Sequence, residues 1–352
     1  MVAHSTLCRR LAVTCSAAAS LLAMTGHAGA SLTFTNATTA NGLGSNTVYG
    51  VFASGTSVYA ATFFGLAVST NGGTSFANRL SSNGSGLASN NVRDVFGSGA
   101  NIYAGTFGGA AISSDSGTTF TNRTTSDGLG GNLVRGVHAS GSNVYAATQS
   151  GLSVSSNGGA SFSFVNYTTA NGLGDILCHD VWSSGGTLYV ATQAGLSIST
   201  NGGTNFSNRT TANGLASDAV YGVFASGSTV YAATAAGLGI STDGGATFSS
   251  RTSANGLGSS TTSDVFAIGS TVYVATHGGL SISTDGGATF SNYSTANGLA
   301  DNVVWSVYAD GGTVYAGTNN GLSIGVSVVP APGAIALLGL AGFAGSRRRR
   351  PS

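Results

Sequence analysis

The 352-residue chain is 41% hydrophobic, holds 56 glycines and is only 7% charged, far below the roughly 25% of an ordinary soluble domain. Its acidic residues are all Asp and its strongly basic ones all Arg. Six of the 12 Arg stand at the two ends, so the stretch between carries six Arg against 11 Asp, a net −5. This balance argues against nucleic acid as a partner, and polarity drawn from Ser, Thr, Asn and backbone suits an exported β protein better than a cytosolic helical enzyme.

Residues 1–30 read as a secretory leader. Arg9 and Arg10 supply the positive start, and Leu11 to Met24 is apolar but short for a membrane span. Ala28-Gly29-Ala30 is a small-residue cleavage site, which puts the mature start at Ser31 and makes signal peptidase the first expected partner. Cys8 and Cys15 leave with the leader. Cys178 is then the single thiol and is expected to be a buried small residue on a strand, with a reactive nucleophile as the alternative.

From Ser31 onward the chain repeats. Leu43, Leu87, Leu129, Leu173, Leu215, Leu257 and Leu299 follow one another at steps of 42 or 44 residues. A period in the low forties with four short strands per unit is a propeller period. In the first unit the strands are expected over Thr47–Ser54, Ser57–Thr62, Leu66–Ser69 and Thr74–Asn78. Gly55, Gly65 and Gly72-Gly73 mark the turns, and Val, Tyr, Phe and Thr fill the runs, as strands prefer. Helical solenoids need longer runs of 3.6 periodicity. A parallel β-solenoid is the competing architecture, but it leaves the ends unexplained.

The last unit offers only three strands: Asn302–Ala309, Thr313–Thr318 and Leu322–Ile324. The missing one is at the start, where Leu32 to Asn36 matches Ala288 to Asn292. Phe34 precedes Leu43 by nine residues, as Phe290 precedes Leu299. The fold expected over residues 31–326 is therefore an all-β, seven-bladed β-propeller of four-stranded blades. Its ring is closed by the N-terminal strand, which removes two open sheet edges. The two 44-residue units are expected to carry their extra pair in the fourth strand or the loop after it, outside the core.

The turns Ser69 to Phe76, Ser113 to Phe120, Ser155 to Phe162, Ser199 to Phe206, Ser241 to Phe248 and Ser283 to Phe290 share one pattern, Ser-x-Asp/Asn-x-Gly-x-Ser/Thr-Phe, with Asn205 in the Ser/Thr slot of the fourth. They resemble the Asp-box (BNR-type) repeats of sialidases, sortilin-like receptors and photosystem II assembly factors. The run Asn41 to Leu66, an Asn-Gly-Leu followed by Ala/Gly-Thr-x-x-Gly-Leu, resembles the propeller repeats of two-component sensor ectodomains. Both resemblances imply a fold and leave function open. Asp115, Asp243 and Asp285 are matched in other copies by Asn71, Asn157 and Asn201, which points to turn stabilisation rather than calcium. No metal or cofactor is expected. The Asn-x-Thr sequons at Asn122 and Asn208 are by-products of the repeat.

Catalytic motifs are missing: there is no His-Glu-x-x-His, no Cys-x-x-Cys and no phosphate loop. The sialidase resemblance would imply a Tyr assisted by Glu, and this chain has no Glu. The chain is therefore expected not to be an enzyme; a glycosidase using two Asp is the catalytic alternative.

The repeats differ most where Tyr49, Arg93, Arg135, His179, Tyr221, Ser263 and Trp305 occupy equivalent positions. A second variable slot holds Phe63, Phe107, Gln149, Gln193, Ala235, His277 and Asn319. Both slots should ring one mouth of the central channel. Tyr49, Arg93, Arg135, His179, Tyr221 and Trp305 are the candidate ligand-binding residues. Aromatic faces and Arg forks suit an acidic glycan, such as an exopolysaccharide, or an acidic segment of an envelope protein. The alternative is drift after recent duplication.

Residues 327–352 change character. Pro330-Ala331-Pro332 precedes the uncharged Ala334 to Gly345, expected to be an apolar helix, and then Arg347, Arg348, Arg349 and Arg350. Counted back to Gly325, about 21 uncharged residues approach the length of a membrane span, with the Arg run cytoplasmic. This ending resembles the PEP-CTERM sorting signal, with Pro-Ala-Pro in place of Pro-Glu-Pro. The resemblance implies an exosortase-like protease as partner, transient inner-membrane anchoring, and release to the cell surface or outside. An ordinary membrane anchor is the alternative. Three functions are compatible with the whole: an exported binding or matrix-associated propeller, an envelope-complex assembly factor, or a carbohydrate-active enzyme.

Overall fold

Short apolar runs broken by glycine form 28 strands in the computed structural model, which describes residues 32–158 and 164–327. They make seven four-stranded antiparallel sheets, six of them running outward from the axis in chain order. The inner strands are Val48–Ser54, Val92–Ser98, Val134–Ser140, Cys178–Ser184, Val220–Ser226, Thr262–Ile268 and Val304–Asp310. Each inner strand packs against those of the neighbouring blades. The core lies between blades, where the buried faces of successive sheets meet.

The seventh blade joins both ends of the propeller. Its inner three strands are Val304–Asp310, Thr313–Thr318 and Gly321–Ser327, and its outer strand is Leu32–Ala37. Phe34 stands opposite Gly325 and Asn36 opposite Ser323. The Ser323 hydroxyl donates to Asn36 Oδ1 at 2.8 Å. A Cβ on Gly325 would lie 2.6 Å from the Phe34 ring, so this close approach requires glycine. The expected closure by the N-terminal strand is thus present.

Several boundaries differ from expectation. In blade 1 the outer strand is Ala77–Arg79, not Thr74–Asn78. The turn keeps Thr74 and Ser75, because the Ser75 N–H donates to Asn71 Oδ1 at 3.0 Å and the Thr74 hydroxyl to the Asn71 carbonyl at 3.0 Å. The third strand of blade 7 continues to Ser327, since Leu32 and Thr33 pair with Ser327 and Val326. The extra pair of residues in blade 3 comes before the outer strand, not within or after it. Val154 faces Val165, 11 residues on, whereas Val68 faces Ala77, nine on. Phe164 is accordingly the aromatic that joins the Leu129 cluster, and Phe162 lies outside the described residues. In blade 1 the extra pair does follow the outer strand.

The Asn-Gly-Leu motif ends a 3-10 turn that the sequence reading omitted. At Thr39–Asn41, Thr38 caps the turn in a reciprocal capping box and Gly42 closes it at φ 95°, which favours glycine. The next residue, Leu43, is buried. The polar turns also have clear local roles. The Ser113 hydroxyl donates to Asp115 Oδ1 at 2.7 Å, and the Thr119 N–H and hydroxyl donate to the same carboxylate. These bonds, that of Ser113 foremost, hold the Asp115 carboxyl well below the usual range.

Four of the six propeller Arg lie on outer strands. Arg79, Arg209 and Arg251 each donate Nε to a glycine carbonyl of the next blade's turn: Gly117 at 2.8 Å, Gly245 at 2.7 Å and Gly287 at 2.9 Å. Arg123 holds the same position in blade 2 and is buried. The sequon amides are engaged too: Asn208 Nδ2 donates to the Gly172 carbonyl at 2.9 Å, and Asn122 Nδ2 donates to that of Gly86. Cys178 is buried, and burial pushes its thiol up to about 12.

The leader at 1–30 and the tail elements Pro330, Pro332, the apolar stretch 334–345 and Arg347 to Arg350 lie outside the described residues. Among the described residues the helices are single 3-10 turns, and none is long and apolar enough to cross a membrane.

Candidate binding site

Every inner strand carries a β-bulge at the same place. In blade 1 Val48 pairs with Thr62 and Gly50 with Ala61, leaving Tyr49 as the extra residue. The register skips identically around Arg93, Arg135, His179, Tyr221, Ser263 and Trp305. The variable position of the repeat is therefore the bulge residue in all seven blades. A bulge releases its side chain from the pleat and re-aims it, and bulges recur beside functional sites.

The second variable slot reaches the same mouth. The Phe63 N–H donates to the Thr47 carbonyl at 3.2 Å, the Phe107 N–H to Asn91 at 3.1 Å and the His277 N–H to Thr261 at 3.1 Å. Each slot is thereby tied to the entrance of its own inner strand. The preceding Thr sets the loop: Thr62 Oγ1 donates to the Gly65 carbonyl at 2.8 Å and accepts the Phe64 N–H at 3.2 Å. The Thr-to-Gly bond recurs in every blade. In Ala/Gly-Thr-x-x-Gly-Leu the fixed letters build the loop, and the variable ones are displayed.

The predicted site residues meet across the seams between blades. Arg93 lies over the Tyr49 ring, 3.9 Å from guanidinium carbon to centroid, and 5.3 Å from that of Phe107. Tyr49 meets Trp305 edge-on at 6.1 Å, and Trp305 meets His277 at 5.2 Å. On the other side His179 packs edge-on against Tyr221 at 5.2 Å, and its Nε2 is 3.1 Å from Gln193 Oε1. Arg135 stands between these two groups. Burial, and then the charge of Arg93, lower its pKa. Its Nε is buried without a hydrogen-bond partner, as is Trp305 Nε1. Burial also lowers His179 and His277, which favours their neutral forms. The positive charge of this ring thus rests on Arg93 and Arg135.

Below the bulge ring are two tiers that the sequence reading missed. The first alternates Gly50, Asp94, Gly136, Asp180, Gly222 and Asp264, and ends at Ser306. Each Asp takes its own following N–H on Oδ1, as in Val95 to Asp94 at 2.8 Å. Oδ2 takes an N–H from the next blade: Val137 to Asp94 at 2.8 Å, Val223 to Asp180 at 2.9 Å and Val307 to Asp264 at 2.9 Å. Glycine alternates because a Cβ on Gly50 or Gly136 would lie 2.8 Å from the Cα of Asp94 or Asp180. With seven blades the alternation cannot close, and Ser306 fills the odd place.

The three carboxyls line the channel and are desolvated there. Burial pushes Asp94 up to about 6 and Asp264 up to about 7, despite the N–H bonds that oppose it. Asp180 is raised well above the usual range by burial and then by the charges of Asp94 and Asp264. Among the described residues no group of His, Cys and Asp is arranged to hold a metal ion.

The second tier is a closed ring of aromatic side chains, one from each blade. Phe52, Phe96, His138, Trp182, Phe224, Phe266 and Tyr308 follow at centroid separations of 4.3 to 5.6 Å, with Tyr308 returning to Phe52 at 5.1 Å. Trp182 Nε1 also donates to the Ala225 carbonyl at 3.0 Å. This ring lies three residues below the bulges, roughly 10 Å along a strand. A void of about 70 Å³ lies among the carboxyl and aromatic tiers beneath the mouth. A wider cleft of about 290 Å³ between blades 3 and 4 is lined by residues on either side of 159–163, such as Ser156 and Val165.

No family model and no curated sequence relative matches this chain. Solved structures share its fold. One is the extracellular domain of BT3049 from B. thetaiotaomicron, assigned to a hybrid two component system, at 18% identity and TM-score 0.70, covering 85% of this chain and 42% of that one. Another is YCF48 bound to D1 peptide, at 13% identity and TM-score 0.63, covering 85% and 97%. A third is PorZ, a surface component of the type-IX secretion system of Porphyromonas gingivalis, at 16% identity and TM-score 0.62, covering 80% and 46%. The chain spans about two-fifths of the length of the BT3049 ectodomain. At these identities the likeness is one of fold.

Proposed function

We propose that this chain is an exported, non-enzymatic binding propeller whose ligand site is the bulge ring at one mouth of the channel. The observation that carries the reading is the coincidence of two patterns. The position where otherwise similar blades differ most is the position that all seven blades bulge to present. Drift alone gives no reason for variable residues to pack on one another, as Arg93 does over the face of Tyr49 and Trp305 edge-on against His277. The ring holds two cations and aromatic faces without a paired acid and base, which suits binding of an anionic partner rather than hydrolysis.

Export rests on the leader and on the PEP-CTERM-like tail. Pro330 and Pro332 would mark the processing region, and Arg347 to Arg350 the cytoplasmic stop. An exosortase-like protease would then release the propeller from the membrane to the cell surface or extracellular matrix. A second reading, an envelope-complex assembly factor, is supported by the fold likeness to YCF48 and PorZ.

The test replaces Arg93, Arg135 and Trp305 together by Ala and measures retention on the producing cells' own envelope and extracellular matrix. The triple variant should keep its circular dichroism spectrum and lose retention. Equal retention with the fold intact would leave this face a scaffold.

A further inference from the structure

We infer that the mouth takes an acidic segment of another polypeptide, laid over blades 7, 1, 2 and 3 with a carboxylate on the Arg93 and Arg135 pair and apolar side chains on the surrounding rings. The inference rests on the bulge ring being the binding site and goes further in naming its occupant.

Unsatisfied donors make the first argument. Buried polar groups are normally paired, and exceptions call for an explanation. Arg135 Nε and Trp305 Nε1 are both buried, and neither has a partner. Arg93 is stacked on Tyr49 through its face, which leaves its in-plane N–H fork available. Arg93 stands close enough to disfavour the charge on Arg135, and a carboxylate shared by the two offsets that repulsion.

The acceptors point the same way. Each carboxylate near this mouth gives one oxygen to the backbone: Asp175 Oδ1 takes the Leu177 N–H at 2.7 Å, Asp218 Oδ1 that of Thr211 at 2.7 Å and Asp301 Oδ1 that of Val303 at 2.8 Å. Asp94, Asp180 and Asp264 are likewise committed beneath. Neither Arg93 nor Arg135 is paired with a carboxylate among the described residues, so both are open to a carboxylate from a partner.

The rim supplies the third argument. Phe63, Phe64 and Phe107 are 53%, 49% and 40% exposed. Such apolar side chains beside Tyr49, Trp305 and two Arg match the composition of protein-binding hot spots, in which Trp, Tyr and Arg dominate and acidic residues are depleted. The void among the tiers below is only about 70 Å³, so the segment lies across the mouth rather than filling the channel.

The test is selection from a random dodecapeptide phage library on the immobilised full chain, with direct binding of an oligogalacturonate hexamer measured in parallel. Selected peptides should place Asp or Glu beside aromatic or aliphatic residues. As synthetic amidated peptides they should bind at least tenfold more tightly than versions with each acid changed to its amide. The Arg93→Gln, Arg135→Gln double variant should lose at least tenfold in affinity at an unchanged melting temperature. If it does not fold, the Arg93→Lys, Arg135→Lys pair, which keeps charge but removes the planar fork, should weaken binding in the same direction. Peptides without acidic enrichment, or no selected peptides, would overturn the proposal. Uronate binding that the double variant loses, without peptide binding, would also overturn it, while leaving the mouth as the site. Binding of either probe that the double variant retains in full would place the site elsewhere.

Discussion

The guanidinium carbon of Arg93 lies 3.9 Å from the centre of the Tyr49 ring, across the seam between blades 1 and 2. Such a stack contributes about 0.5–2 kcal/mol, depending on desolvation, and it leaves the hydrogen-bonding edge of Arg93 open. Arg79, in the outer strand of blade 1, is used differently: its Nε is held by the Gly117 carbonyl of blade 2. One residue type thus serves two purposes in this propeller, decided by radius: the outer Arg join blades, and the inner pair faces the mouth.

The outer latches should matter for stability alone. Arg209→Ala removes a charge-assisted hydrogen bond to the Gly245 carbonyl and should cost about 1–2 kcal/mol. The check is a lower urea midpoint at unchanged slope, with retention on the native matrix unaltered. A loss of retention without a loss of stability would mean that the outer Arg also bind.

Closure of the ring should be decisive for the whole domain. Deleting residues 31–38 removes the outer strand of blade 7, with Phe34 packed on Tyr293 at 5.8 Å and Ala37 buried, and exposes a sheet edge. The loss should be at least roughly 3–5 kcal/mol, about 10 °C in melting temperature. Calorimetry showing the same melting temperature for the truncated and full chains would refute closure.

Stability should fall as pH rises from about 4 to above 7. Asp94, Asp180 and Asp264 have folded-state pKa values above the unfolded one. The native state therefore binds more protons than the unfolded state in this window. Their stabilising contribution is full below the unfolded pKa and is lost as pH climbs through the folded values. For Asp94 alone the change is on the order of 3 kcal/mol. His138, pushed down from 6.5 to about 4 by burial, opposes this trend over that interval, because the unfolded imidazole takes up the proton first. His179 and His277 oppose it in the same way. The three carboxyls outweigh them and act alone above that interval. Thermal melts should give a higher midpoint at pH 5 than at pH 8; the reverse order would refute this reading of the channel.

Processing of the tail is read directly in the exported protein. Mass spectrometry should find the mature chain ending near Pro332. Arg347 to Ser352 still attached would favour a simple anchor over exosortase release.

Much of this architecture was legible because it is written seven times. The Leu43-to-Leu299 period carries the blade count, and the match of Leu32–Asn36 to Ala288–Asn292 carries the closure. Both bulge residues and loop slots stood out by their variation. The bulge itself did not, because it is defined by pairing with a second strand: Tyr49 is extra only relative to Thr62 and Ala61. In blade 3, Phe162 and Phe164 have the same strand parity, so alternation could not choose between them. The channel tiers were present as signals. Gly50, Asp94, Gly136, Asp180, Gly222 and Asp264 alternate one residue after the bulge, and the aromatic ring lies two residues beyond. His138 and Tyr308 among the Phe made that ring look like ordinary strand composition.

The central claim, that the bulge ring binds and the rest of the propeller supports it, is tested most directly by a single-site scan of one radius against another. Arg93→Ala, Arg135→Ala and Trp305→Ala are each compared with Arg209→Ala and Arg251→Ala for retention on the native matrix at low and high salt. Each mouth variant should lose retention at least several-fold, and retention of the unmodified chain should weaken with salt as exposed charges are screened over about 8 Å at physiological ionic strength. The latch variants should retain as the unmodified chain does. Equal retention across all five variants, or losses confined to the latch positions, would contradict the account.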